Sequence, residues 1–238
     1  MHPEQDHGHP PAWRSLPLID GWSVWYVAET GSTNAELLAR ADAPDRTVLV
    51  AAHQTAGRGR LDRTWEAPPG ANLLTSILFT DVPEQPGDLT RAVGIAAIDA
   101  VAAVTGLAAR LKWPNDVLLD GRKLAGILAQ RAPSGPVVAG IGLNVGWAPQ
   151  GAARLGDGVE PLAILTELLR AFDAPGDRHE RYRELLDTLN RQVRVELPSG
   201  DLVGRAVDID RDGRLVVIDE CAITHHVDAG DVVHVRSV

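Results

Sequence analysis

Of the 23 basic residues in this chain only Lys112 and Lys123 are lysines, and arginine fills the other 21 positions. The two stand eleven residues apart in one stretch, KWPNDVLLDGRKLAGILAQ, from Lys112 to Gln130. In a chain that otherwise writes arginine, lysine marks a place that wants a compact ammonium and not a planar fork. The plain alternative is chance placement of a rare residue. Asparagine is clustered too. Four of the five sit in short Gly- or Trp-bearing groups: Gly31-Ser32-Thr33-Asn34, Gly70-Ala71-Asn72, Trp113-Pro114-Asn115 and Gly140-Ile141-Gly142-Leu143-Asn144. Polar residues so placed point to a site assembled from several loops.

A cationic segment completes the set. Residues Gln54 to Trp65 read QTAGRGRLDRTW, with Gly57 and Gly59 alternating with Arg58 and Arg60, then Arg63, and an aromatic at the end. The segment lacks the Gly-Lys-Ser/Thr ending of a P-loop, and Asp62 occupies the third glycine's place of a dinucleotide fingerprint. What remains is an exposed loop whose glycines let it wrap closely around an anion, set against the plainer possibility of a solvated charge run.

The elements that must position these residues follow from periodicity. Residues 22–28 form a strand, and 35–41 a helix with Ser32 or Thr33 as its cap and Glu36 in its first turn. Those hydroxyls cap the helix, bind a ligand, or do both, because a helix N-terminus presents unpaired N–H groups either way. Strands are expected over 47–53 and 72–79, and a core helix over 89–105. Residues 109–113 and 117–119 read as strands joined at Pro114, and Asp120-Gly121 as a tight hairpin turn returning through 123–130. A buried strand with close-approach glycines covers 137–143, and amphipathic helices cover 161–172 and 178–189. Beyond Asn190, short strands separated by Pro-Ser-Gly, Arg-Asp-Gly and Asp-Ala-Gly-Asp turns indicate a small β-barrel.

Composition bounds the function. A length of 238 residues allows one large core, or a core of about 180 residues plus a small unit. The formal charge of −9 argues against nucleic acid as the main partner. The single cysteine, Cys221, cannot form an internal disulfide, which favours a reducing, cytoplasmic setting, and it reads as a small buried apolar residue of a strand. No apolar run approaches the roughly 20 residues that span a bilayer. The first 20 residues, rich in Pro and holding His2, His7 and His9, read as a flexible tail without signal-peptide character.

Taken together, Gly31 to Asn34, Gln54 to Arg60, Lys112 to Asp116, Gly121 to Ile127 and Gly140 to Asn144 closely resemble the biotin protein ligase family, in the family's order, over residues 21–238. The resemblance implies an α+β fold: a mixed β-sheet backed by helices, related to class II aminoacyl-tRNA synthetases and lipoyl ligases. It divides the chain into a tail (1–20), a catalytic biotin- and ATP-binding domain (21–189) and an SH3-like β-barrel (190–238). It further implies that biotin and MgATP give biotinyl-5′-adenylate, and that a lysine of a biotin carboxyl carrier domain, from acetyl-CoA carboxylase or a related carboxylase, then attacks the mixed anhydride. A monomer or weak homodimer is expected, with neither nucleic acid nor membrane as partner.

Bringing a carboxylate against an α-phosphate juxtaposes two anions, so cations must converge there. By resemblance Lys123 and Arg60 are the catalytic pair. Ser32, Thr33, Asn34, Gln54, Arg58, Gly59, Arg60, Lys123, Gly126 and Gly142 surround biotin. Arg58, Arg60, Arg63, Trp65, Asn115, Asp116, Lys123 and Asn144 face ATP, with the Mg²⁺ ligands left open and Lys112 either structural or near the phosphates. Two departures stand out. Leu61-Asp62 replaces the family's small or basic residue followed by glycine, where Asp tolerates positive φ better than most residues. Nothing before residue 21 can form the winged helix-turn-helix of the bifunctional members, so no repressor role is expected. A lipoate or octanoate ligase and a non-enzymatic biotin sensor are the alternatives. The first leaves the polar groups of Ser32, Thr33 and Gln54 unpaired, and the second has no use for three arginines beside the ring pocket.

Overall fold

Residues 13–17, 19–85, 87–197, 200–228 and 230–234 are described by a computed structural model. An eight-stranded sheet runs in the order β1 (Arg14–Ser15), β2 (Ser23–Thr30), β3 (Thr47–Gln54), β4 (Leu73–Phe79), β8 (Val137–Leu143), β7 (Arg122–Arg131), β6 (Asp116–Leu119) and β5 (Arg110–Lys112). Only β2 and β3 pair in parallel and every other neighbour is antiparallel, so the sheet is mixed, as expected. Helix α1 (Thr33–Leu38) joins β2 to β3 on one face of the sheet, and α2 (Gly87–Thr105), α3 (Pro161–Phe172) and α4 (Arg178–Leu185) join the core on the other.

Strand alternation decides what lies on each face. Val48 and Val50 of β3, Leu73, Ile77 and Phe79 of β4, Ala125 and Ile127 of β7, and Ala139 and Ile141 of β8 join the buried faces of α2 and α3 in one core. Their neighbours in sequence point the other way. There, near β2 and α1, Val27, Leu37, Leu49, Ala51, Leu78 and Val138 form a smaller cluster. Farther along that second face, β7 and β8 carry Gly126, Gly140 and Gly142, which leave a hollow where side chains would stand.

Several details differ from expectation. Cys221 is exposed in a turn and not buried on a strand, and α4 ends at Leu185 where a helix to residue 189 was expected. Arg14 and Ser15 belong to the sheet, paired with Tyr26 and Trp25, because Trp13 packs on Trp25 and Arg40 lies over the Trp13 ring. The rest of the expected tail, with His2, His7 and His9, lies outside the described residues. Helix α1 begins at Thr33 and ends at Leu38, and its N-cap residue Ser32 makes no side-chain capping bond. The C-terminal strands β9 (Gln192–Leu197), β10 (Gly200–Ile209), β11 (Leu215–Asp219), β12 (Thr224–Val227) and β13 (Asp231–His234) form an antiparallel sheet in the order β12-β11-β10-β9-β13. No pairing closes it into a barrel among the described residues. Its two edge strands are four residues each and do not meet, although a register shift between Ala206 and Asp208 bends β10.

Acidic side chains brace the turns of that sheet over its apolar core. The His225 ring bonded to Asp219 keeps its carboxyl below the usual carboxylate value. Burial raises Asp210, but bonds from His226 and Arg214 outweigh it and leave that carboxyl lowered as well. A carboxyl depressed in the folded state contributes stability above its unfolded value and loses it as the pH falls below that value. Amide exchange at acid pH is therefore expected to quicken in β10–β12 before the central sheet as the pH drops below the ordinary value of 3.8. Simultaneous loss of protection in both sheets would contradict this.

Candidate active site

A cavity of about 260 Å³ opens over the glycine hollow. Its lining includes every residue that the resemblance assigned to biotin or ATP: Ser32, Thr33, Asn34, Gln54, Arg58, Gly59, Arg60, Arg63, Trp65, Asn115, Asp116, Lys123, Gly126, Gly142 and Asn144. Lys112 is not among the lining residues.

The cationic loop is a flap with defined geometry. Gly59 N–H donates to Arg63 C=O, Trp65 N–H donates to Gly57 C=O, and Arg58 pairs with Thr64 across it. The tip is a turn from Arg60 to Arg63 with Leu61 at φ 53° and Asp62 at φ 56°. Two consecutive left-handed residues fit a two-residue hairpin turn. The expectation covered Asp62. The leucine adopts the same conformation although its Cβ makes it costly there, at roughly 1–2 kcal/mol. Its side chain is two-thirds exposed and gains little in return.

From the flap, Trp65 reaches into the hollow. A Cβ at Gly142 would lie 2.3 Å from its ring, and one at Gly126 would lie 3.2 Å from it. The indole Nε1 is buried without a partner. Lys123 Nζ lies 5.6 Å from the Trp65 ring centroid and bonds Asp116 Oδ1 at 2.7 Å. The Asp120-Gly121 turn that carries Lys123 has φ of 51° and 71°, the hairpin form expected from the sequence. Arg60 Nη1 donates to Asn115 Oδ1 at 3.3 Å and to Gly230 C=O at 3.4 Å. Asn115 in turn donates to Ile127 C=O at 2.7 Å, so the turn before β6 holds Arg60 through Asn115 and Lys123 through Asp116. Arg63 pairs with Asp231 at the start of β13. Asp231 thus lines the cavity from the C-terminal sheet, a residue the sequence marked only as part of a turn.

The other wall is a buried polar chain. Gln54 Oε1 accepts from the backbone N–H of Thr33 at 2.8 Å and lies 3.0 Å from Thr33 Oγ1. The first N–H of α1 is therefore occupied, which leaves one fewer donor at that helix end than its sequence suggested. Ser76 Oγ lies 2.6 Å from Thr33 Oγ1 and 2.6 Å from Asn34 Oδ1. Asn34 Nδ2 donates to Leu128 C=O at 3.1 Å and to Gln130 Oε1 at 2.8 Å. Ser76 and Gln130 were not singled out from the sequence. Their signal was a polar residue on the inner face of an apolar strand, legible only once the register of β4 and β7 is known.

Two asparagines from different clusters brace each other behind the cavity. Asn72 Oδ1 accepts from Val145 and Trp147 N–H, and its amide donates to Asn144 Oδ1 at 3.3 Å. Asn144 Nδ2 donates to Ala153 C=O, so Asn144 borders the cavity with both ends of its amide engaged. Trp113 is likewise structural: its indole donates to Gly213 C=O and its backbone N–H to Thr188. Gly140 has a defined reason to lack a side chain, since a Cβ there would lie 2.1 Å from Asn34 Oδ1. Asn34 is pinned on three sides and cannot retreat. Gly140→Ala is expected to cost roughly 2–3 kcal/mol, overpacking combined with a broken buried bond. Urea denaturation would measure it, and a loss below about 0.5 kcal/mol would be surface-like behaviour that this geometry does not allow.

Comparison with known proteins agrees with this geometry. Residues 26–146 match the Biotin/lipoate A/B protein ligase family, and residues 188–235 match the Biotin protein ligase C terminal domain. The chain is 44% identical to a biotin--[acetyl-CoA-carboxylase] ligase of Mycobacterium tuberculosis, over 98% of this chain and 99% of that protein. It is 31% identical to the bifunctional ligase/repressor BirA of Escherichia coli, over 85% of this chain and 71% of that protein. Among solved structures, a biotin protein ligase from Aquifex aeolicus in complex with biotin and ATP superposes with a TM-score of 0.79 at 25% identity, covering 90% of this chain and 99% of that one.

Proposed function

This chain belongs to the biotin protein ligase family, and on that footing we propose that the cavity between the flap and strands β7 and β8 is where it joins biotin to ATP. The enzyme is a biotin--[biotin carboxyl-carrier protein] ligase: it activates biotin as biotinyl-5′-AMP and transfers the acyl group to a lysine of a carboxyl carrier protein. The observation that carries the site assignment is the convergence of Lys123, Arg60 and the buried Thr33–Gln54 wall on one cavity. The wall is polar where a ureido ring needs partners, and the mouth is cationic where a carboxylate and an α-phosphate must meet.

Lys123 holds the acid carboxylate and the reacting phosphate together. Its ammonium lies at the rim between the Trp65 ring and Asp116, where a single charged donor serves both anions as negative charge builds. Arg60 and Arg58 close from the flap onto the phosphate, and Arg63 follows once released from Asp231. Ser32, Thr33 and Gln54 face the ring, with Asn34 braced behind Thr33 through Ser76 and with Gly59, Gly126 and Gly142 making room. Trp65 gives the adenine a stacking surface, with Asn115 and Asn144 on the nucleotide side. Mg²⁺ enters with the nucleotide. Among the described residues no cluster of three metal-ligating side chains exists, and Asp116 is the carboxylate best placed for it. One carboxylate plus phosphates and water is an ordinary set for this ion, which would neutralise phosphate charge there.

The carrier is a domain of acetyl-CoA carboxylase or a related enzyme. Residues 21–189 form the catalytic unit, and 190–238 form a smaller unit whose Asp231 braces the flap. The chain works in the cytoplasm as a monomer or weak homodimer. No helix among the described residues is long and apolar enough to cross a membrane. Biotin-dependent exchange of labelled pyrophosphate into ATP, followed by label transfer to an apo carrier domain, tests the reading. Well-folded protein without exchange would remove it.

A further inference from the structure

Four oxygens form a line behind the ring-binding wall: Gln54 Oε1, Thr33 Oγ1, Ser76 Oγ and Asn34 Oδ1. Successive separations are 3.0, 2.6 and 2.6 Å. Both ends are amide oxygens with no proton to give. Backbone groups fix their orientation: Asn34 must turn Nδ2 toward Leu128 C=O, and Gln54 must turn Oε1 toward the N–H of Thr33. Between them stand two hydroxyls, each with a single proton. Three contacts therefore share two protons, and one contact must go without.

The separations tell which one. The two short contacts hold the protons, with Ser76 donating to Asn34 and Thr33 donating to Ser76. The 3.0 Å contact between Thr33 and Gln54 is left without one, and Gln54 loses little because it already accepts from the Thr33 N–H.

We infer that Ser76 and Asn34 are positioning residues that turn the Thr33 hydroxyl proton away from the cavity, so that Thr33 Oγ1 and Gln54 Oε1 face the ligand as a pair of acceptors. Ser76 is fully buried and does not line the cavity, so it acts through Thr33. A wall of two acceptors selects a ring that presents N–H donors and repels one that presents oxygen or sulfur there. This deepens the biotin reading and rests on it: the specificity-determining element is the direction of one proton, set from the second layer.

The test is a two-by-two comparison by calorimetric titration. The ligands are biotin and its cyclic carbonate analogue, in which ring oxygens replace both ureido N–H groups. The proteins are the full chain and Ser76→Ala. Without the Ser76 hydroxyl, Thr33 turns its proton onto Gln54 and the wall loses its double-acceptor character. Biotin affinity is expected to fall about 10- to 100-fold, as for a mispaired buried polar group, while the carbonate changes by less than about threefold. The biotin-to-carbonate preference thus shrinks at least tenfold. Equal weakening of both ligands is what a merely structural role predicts, and it would overturn the inference while leaving the biotin reading intact. Failure of the unaltered chain to bind biotin would sink both. Should Ser76→Ala not fold, Asn34→Ala decides by the same ratio: freed of its acceptor, Ser76 donates to Thr33, and Thr33 to Gln54. An unchanged preference in that variant would refute the proton order.

Discussion

Lys123→Arg is expected to lower biotin-dependent pyrophosphate exchange by at least about a hundredfold while the protein keeps its fold. The charge is conserved, so the loss comes from shape. Lys123 Nζ lies at 2.7 Å from Asp116 Oδ1, and both its Cε and Nζ come within 3.2 Å of where a Cβ on Gly126 would be. The Trp65 ring closes the remaining side. A planar guanidinium in that corner satisfies Asp116 through two nitrogens and moves its charge outward, away from the point where carboxylate and phosphate meet. A misplacement of about 1 Å at a reacting centre costs on the order of 10²-fold, and a lost charged hydrogen bond adds roughly 1.5–3 kcal/mol. The side chain is two-fifths exposed, so folding is not at risk. Exchange within about threefold of the unaltered enzyme, in protein with an unchanged melting profile, would show that any cation suffices there.

Gly142→Ala is expected to remove measurable biotin binding at concentrations that saturate the unaltered enzyme, a loss of at least about a hundredfold. Its Cβ would stand 2.3 Å from one atom of the Trp65 indole and 2.5 Å from another. The ring cannot slide along the strand pair, because Gly126 lies opposite Gly142 in the ladder and is packed against the same ring. The indole must leave the hollow, and the methyl group takes part of the space. Overpacking of this kind costs roughly 1–3 kcal/mol in stability, while the binding loss is larger because flap and floor are disturbed together. Calorimetric titration with biotin reads the first effect and urea denaturation the second. Retained affinity would mean that the floor of the ring pocket lies elsewhere.

These two substitutions also mark how far the sequence could be read. The rarity of lysine singled out Lys123, and the Asp120-Gly121 signal placed it just past a hairpin turn, as found. Helix identities followed from periodicity and strand identities from alternation or from short apolar runs, because the central strands β3, β4 and β8 are buried on both faces while a helix laid on the sheet must repeat. Chain order in the sheet did not follow. Nothing local to β8 says that it lies between β4 and β7, yet that neighbourhood sets Gly126 beside Gly142 and brings Asn34 against Ser76 and Gln130.

Asparagine clustering misled in part. Asn72 shares the loop setting of Asn34 and Asn115, but it holds a backbone turn away from the cavity lining, and a capped turn carries the same residue types as a ligand contact. The C-terminal strands were legible, but barrel closure was not. Closure depends on whether the edges meet, and among the described residues β12 and β13 do not pair.

What the sequence determined by itself was the chemistry: which residue types exist, which are scarce, and that cations, glycines and small hydroxyls recur in short groups along the chain. Those are properties of composition and spacing, and they survive without coordinates. The tertiary structure alone decided which of those groups share a wall, because long-range strand pairing spans many residues and leaves no mark in either partner's local pattern. It alone brought Asp231 to the flap and Ser76 behind Thr33, and through the second contact it fixed the direction of a proton that no spacing rule encodes.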